Sequence, residues 1–251
     1  MRVEQSFIPV RGVGEQTERS LWQQGITHWD DFHPDAVGKT TAERIEAYID
    51  DARRHLTDRN TGFFGRAFPS GDQWRLYESF QDGAAFFDIE TTGLDQRHDA
   101  VTTVSVRQGG ETTTFVRDRD LTAQRLRETF ADADLLVSFN GKRFDVPFLQ
   151  QSFDLDGVLE RPHLDLMYPC RQLDLTGGLK QIEKDVGIER DRPDLSGKDA
   201  VRLWYEAERG DDAALETLIS YNREDVDHLE TVADRVVTRL HERTVPDDCE
   251  F

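Results

Sequence analysis

Lysine, cysteine and long apolar runs are what this sequence has least of. It holds two cysteines, Cys170 and Cys249, with no metal-type spacing between them. That pattern speaks against a disulfide framework and is the cysteine usage of a cytoplasmic protein. No apolar stretch approaches the roughly 20 residues that span a bilayer, so no membrane segment is expected. The opening residues, Met1-Arg2-Val3-Glu4-Gln5, lack the charged start and apolar stretch of a secretory signal. Enough remains for a core: 37% of the 251 residues are hydrophobic and 10% aromatic, which argues against global disorder. The length allows one large domain, or a medium domain with a small appendage.

Positive charge is scarce as well. Asp and Glu number 50 against 31 Lys and Arg, a net charge of -19. Only Lys39, Lys142, Lys180, Lys184 and Lys198 are lysines, and the other 26 basic residues are arginines. Few lysines, many carboxylates and a low apolar fraction fit a halophilic chain. At about 1 M salt the Debye length falls to roughly 3 Å, so surface carboxylates repel one another, and a polyanion, far less. An acidic protein of an ordinary cytoplasm is the alternative. The basic footprint of most nucleic-acid binders is missing.

The charge is unevenly spread. Residues 1–80 carry 10 basic and 13 acidic residues, net -3, while residues 81–251 carry 21 and 37, net -16. The shift falls at the turn signal Gln81-Asp82-Gly83, just ahead of an apolar run. A boundary there gives a small helical accessory region, 1–80, and a larger domain, 81–251. In the first, helices are expected over about 15–24 and 41–56, before an aromatic-rich stretch at 63–80. Gly12-Val13-Gly14 and the helix after it resemble a helix-hairpin-helix hairpin at 9–25, whose amides meet phosphate. The same turn also reads as a plain helix cap. The second region alternates strands (84–90, a hairpin of 101–106 with 112–116, 135–139) with helices. Those helices are placed at 122–130, 144–153, 179–186, 198–209, 212–222 and 225–240. The order predicts an α/β fold, a mixed sheet flanked by helices.

Three acidic elements stand out. Asp88 and Glu90, two apart on a predicted strand, leave the same face of a sheet while Ile89 points the other way. Carboxylates at the end of a buried strand are costly unless paired or bound to metal. A lone D-x-E also serves simply to cap a strand end. Asn140 and Gly141 turn the chain after an apolar strand and place Asp145 in the first turn of a helix. There it either complements the dipole or faces the first strand's end. Tyr221 and Asp225, four apart, share one helix face beside Val226 and Leu229.

In this order, Asp88-Ile89-Glu90-Thr91-Thr92-Gly93-Leu94, Asn140 through Phe144-Asp145, and Tyr221 through Asp225 resemble the three exonuclease motifs of the DEDD superfamily. The tyrosine four before the last Asp is similar to that of the DEDDy subgroup. The resemblance covers roughly residues 84–240. Looser stretches, Trp74-Arg75-Leu76-Tyr77, His163-Leu164-Asp165-Leu166 and Gly178-Leu179-Lys180, make the chain similar to YprB-like ribonuclease H-like proteins.

The resemblance implies a ribonuclease H-like mixed five-stranded sheet. It also implies a metal-dependent 3′–5′ exonuclease that hydrolyses phosphodiester bonds at single-stranded ends of DNA or RNA. Two divalent cations, Mg²⁺ or Mn²⁺, about 3.5–4 Å apart, would clamp the attacking and leaving oxygens. On this resemblance Asp88 bridges both, Glu90 and Asp225 complete the tighter site, and Asp145 holds the second, partly through water. Tyr221 orients the attacking water rather than taking its proton, since a tyrosine pKa is about 10. Thr91, Thr92, Gly93, Leu94, Asn140 and Phe144 are the implied contacts to the terminal nucleotide. His163 and Asp165 either approach the site or are structural, and Lys180 either touches a phosphate or is solvated. The alternatives on the same fold are a structure-selective endonuclease and a catalytically silent nucleic-acid-binding module.

Overall fold

The computed structural model describes residues 1–155, 157–246 and 249. The chain forms two compact units, one of Met1–Asp82 with Val236–Phe251 and one of Gly83–Arg235.

The first unit is helical. A 3-10 turn, Val3–Gln5, precedes the glycine turn and α1 (Glu15–Gln23) follows it, so that turn lies between a 3-10 turn and a helix rather than between two helices. α2 (Lys39–Thr57), α3 (Thr61–Ala67) and α4 (Tyr77–Phe80) are the other described α-helices of residues 1–82, with short 3-10 turns between and after them. α3 is not apparent from the sequence, where Gly62 and Gly65 disfavour a helix. The Asn60 side chain accepts from Phe63 N at its start, and Phe64 is fully buried, which together outweigh the glycines. A buried ion pair ties the unit's ends: Glu18 accepts from Ser6 Oγ and from the backbone of Phe7 and Ile8, and Arg75 Nη1 lies 2.7 Å from Glu18 Oε2. Such a pair is tolerated in the interior because its carboxylate is saturated with donors.

The second unit is built on a five-stranded mixed sheet, order β3-β2-β1-β4-β5. Its strands are β1 (Ala84–Thr91), β2 (Val101–Gln108), β3 (Glu111–Val116), β4 (Leu135–Ser138) and β5 (His163–Asp165). β1, β2 and β3 are antiparallel neighbours, and β4 and β5 run parallel to β1. Between and after them come α5 (Ala123–Phe130), α6 (Asp145–Ser152), α7 (Met167–Gln172), α8 (Leu179–Val186), α9 (Gly197–Glu208) and α10 (Asp212–Thr244), whose residues from Val236 on belong to the first unit. α10 corrects the expectation of two helices at 212–222 and 225–240. The sequence over that span holds neither Gly nor Pro, so nothing interrupts the backbone ladder at Arg223-Glu224.

The strand period of two divides β1 between two environments. Ala85, Phe87 and Ile89 join Leu126, Phe130, Phe148 and Leu149 in one apolar cluster. Asp88 and Glu90 leave by the opposite face. On α9 and α10, Leu203, Trp204, Leu215, Leu218 and Tyr221 form a second cluster. Burial of such side chains, at about 1.5–3 kcal/mol each, is what holds a helix bearing Asp225 rigidly in place.

Candidate active site

β1 pairs with β4 only over Ala84–Phe86. Beyond that point the N–H of Ile89 donates to Asp145 Oδ1 at 3.2 Å, so a side chain from α6 takes over where the strand pairing stops. The loop that delivers Asp145 is held tightly. Asn140 has φ 63°, a left-handed conformation asparagine tolerates. A Cβ on Gly141 would meet Ser138 Oγ at 2.2 Å, so no larger residue fits there. The buried Asp165 accepts from Asn140 N (2.7 Å), Lys142 N (3.1 Å) and Met167 N (3.2 Å). Asp165 is therefore an anchor for the loop. His163 pairs with Ser138 Oγ at 2.7 Å, and burial pushes its pKa down to about 3, so it is a neutral structural imidazole.

Asp88, Glu90 and Asp225 each offer a carboxylate oxygen within 4.8 Å of the others. Asp145 lies outside that triad but close enough for its charge to act on Asp88 and Glu90. Asn222, fully buried on α10, donates to Asp88 Oδ2 at 2.7 Å and accepts from Thr103 Oγ1 of β2 at 3.0 Å. Burial, then repulsion from Asp145, Asp225 and Glu90, holds the Asp88 carboxyl well above its usual range, with the Asn222 bond opposing. Glu90 is raised in the same way, by burial and then by Asp225 and Asp145, against the pull of Lys180 and Arg190. Burial pushes Asp145 up to about 7, and Asp225 up to about 6 despite Arg190. Tyr221 is raised by burial and then by Asp225, Glu90 and Asp88, so its hydroxyl stays protonated.

Besides the role of Asn222, sequence reasoning missed two features here. Arg190 is buried, takes both oxygens of Glu183 on α8, and also donates to Asp225 Oδ1. His228 Nδ1 lies 3.1 Å from the same Glu183, and the guanidinium sits 5.9 Å from the Tyr221 ring centroid. Arg190 lies in the charged run Glu189-Arg190-Asp191-Arg192, which reads as a solvated loop. Only the question of what balances so many buried carboxylates would have pointed to it. The second is the N-terminal turn of α9: Ser196, Gly197, Lys198 and Val201 wall a cleft of about 670 Å³ with Ile89, Glu90, Thr91, Gly93, Leu94 and Phe144.

That cleft receives four of the six residues implied as nucleotide contacts. Leu94 is 85% exposed at its rim. Thr92 instead bonds Ala100 N at 2.9 Å and Asp99, holding the turn after β1, and Asn140 is not part of the lining.

A mixed sheet of this order, with carboxylates on its central strand and on a helix laid against it, defines a ribonuclease H-like domain. Residues 85–237 match the family RNase_H_2, described as RNase_H superfamily, and the chain belongs to that family. Two solved structures are similar over most of this length. One, described as the apo form of a nuclease, is 23% identical, with a TM-score of 0.48, covering 70% of this chain and 79% of its own. The other, NrnC of Brucella melitensis, is 16% identical, with a TM-score of 0.34, covering 68% and 92%. No curated protein matches the chain in sequence. Among the described residues no helix is long and apolar enough to cross a membrane.

The donor set at the triad is entirely oxygen, and its carboxylates repel one another in a buried setting. Hard divalent cations such as Mg²⁺ and Mn²⁺ prefer such ligands, so these residues fit the metal that the fold implies.

Proposed function

We propose that this chain is a metal-dependent nuclease of the DEDDy type, acting as a 3′–5′ exonuclease on single-stranded ends of DNA or RNA. The observation that carries the proposal is the convergence of Asp88, Glu90 and Asp225 within 4.8 Å, on a domain of the RNase H superfamily. Asp145 and Tyr221 stand beside them, each subject to the charges of that cluster.

Divalent metal bound there would supply charge neutralisation at phosphorus and acidify the attacking water. Asp88, Glu90 and Asp225 hold it, with Asp145 completing the set and in place through Ile89 N–H. Asn222 fixes the rotamer of Asp88, and Arg190 fixes that of Asp225. Tyr221, which keeps its proton, orients the attacking water by hydrogen bonding and does not act as the base. The cleft beside Glu90 receives the terminal base against Leu94 and Phe144, which accounts for an apolar rim next to an acidic centre. With net -19 on the chain, substrate is held by bound metal and local contacts rather than by a basic surface.

The test is digestion of 5′-labelled single-stranded DNA and RNA with Mg²⁺, Mn²⁺ or EDTA. Ladders that shorten from the 3′ end, only with metal, are expected. Internal cuts would favour an endonuclease, and no product at any salt concentration would leave a binding role.

A further inference from the structure

Lys180 and Arg190 both act on the acidic centre, and they differ in how they are held. Although its Nη1 has no hydrogen-bond partner, Arg190 is held by Glu183 and Asp225 through Nε and Nη2. Lys180, in the first turn of α8, is not. Its Nζ is buried yet has no hydrogen-bond partner, and among the described residues it forms no ion pair. What it touches is the face of Tyr221, with Nζ 5.1 Å from the ring centroid. Its charge also opposes the rise of the Glu90 and Asp225 carboxyls, so it stands within reach of both.

An ammonium carries three N–H donors and no acceptor. A π face attracts the charge and fixes its position, but it leaves those donors unmatched. A buried polar group with unmatched donors is costly, and at a reactive centre it marks where a ligand completes the set. The ligand must be an anion small enough to enter between Tyr221 and the carboxylates. Lysine suits phosphate as a point charge, without the two-pronged geometry of arginine.

We propose that Lys180 is a catalytic residue whose Nζ binds a non-bridging oxygen of the scissile phosphate, an assignment that rests on the nuclease reading above. In the reaction the water oxygen bonds to phosphorus, the P–O3′ bond breaks, and a water proton ends on the 3′ oxygen. Lys180 keeps its own proton throughout and stabilises the charge that gathers on the phosphoryl oxygens. Tyr221 then has two tasks, orienting the water with its hydroxyl and seating Lys180 on its ring. Arg190, locked between carboxylates, acts only through Asp225.

The test pairs a change in the protein with a change in the substrate. Lys180→Met keeps the side chain's length and removes the charge. Loss of one such donor lowers kcat by about a hundredfold or more. The affinity for Mn²⁺, read by electron paramagnetic resonance, should stay within about threefold, because Lys180 is not a metal ligand. Binding of an oligonucleotide with a methylphosphonate at its terminal linkage is then compared with the all-phosphate strand, on the Ca²⁺-loaded protein. For the diastereomer that lacks the oxygen facing Lys180, the wild-type penalty should exceed that of Lys180→Met by about tenfold, the sign of direct coupling.

Equal penalties in the two proteins would overturn the assignment and leave the nuclease reading standing. So would unchanged kcat in a folded Lys180→Met. A wild-type chain that neither binds nor cuts nucleic acid with metal would remove both. Should the methionine variant fail to fold, Lys180→Gln takes its place, with Lys180→Arg expected to recover part of the activity.

Discussion

At the scale of single residues the site is a set of acids that the fold forces together. Their carboxyls are raised by burial first and by each other second, so the folded chain holds protons that the unfolded chain, at ordinary pKa values of about 3.9 and 4.3, has already lost. The cluster's contribution to stability is therefore full below about pH 4. It is lost as pH rises through the folded values of about 6 for Asp225 and about 7 for Asp145. Asp88→Asn removes one charge and still offers an acceptor to Asn222. In EDTA it should be more stable than wild type at pH 8, with the advantage shrinking toward pH 5. Denaturant midpoints at the two pH values measure this, and an identical difference at both would contradict it. Arg190→Met acts in the opposite sense, leaving Glu183 and Asp225 buried without their cation. Breaking such a pair costs about 3–5 kcal/mol, to be read from the same unfolding curves. A change below about 1 kcal/mol would mean that the guanidinium carries no such weight.

At the scale of elements, much was legible in the sequence because it rests on local patterns. Four strands, the hairpin among them, follow from apolar runs and turn residues, and Asp88 and Glu90 share a face because strands have a period of two; β5, three residues long, is too short to show a pattern of its own. The motifs around Asp145 and Tyr221 likewise carry their own geometry: a left-handed Asn140, a Gly141 with no room for a Cβ, and one turn of helix from Tyr221 to Asp225. What could not be read there depends on partners distant in sequence. Arg190 gains its meaning from Glu183 on α8 and Asp225 on α10. Asn222 gains its own from Thr103 on β2, and the α9 wall of the cleft is set by how that helix packs. The break expected within α10 failed for a different reason. Polar residues at 222–225 look like a loop, but three of them, Asn222, Glu224 and Asp225, have partners in the fold.

At the scale of the whole molecule, net charge and chemistry pull in opposite directions. A charge of -19 repels both itself and a polyanionic substrate, and salt relieves both. If the composition reflects a salt-rich cytoplasm, the unfolding midpoint rises steadily from about 0.1 to 2 M KCl, the range over which the Debye length falls from about 10 Å to about 3 Å or less. Full stability in dilute buffer, unchanged by KCl, would point to an ordinary acidic protein instead. The central claim is that Asp88, Glu90 and Asp225 hold metal for phosphodiester hydrolysis. It is tested most directly by following a 5′-labelled single strand with Mn²⁺ in high KCl, wild type beside Asp225→Asn. The account predicts metal-dependent shortening by the wild type and a loss of at least about a thousandfold in a folded Asp225→Asn. Equal cleavage by the two proteins would contradict it.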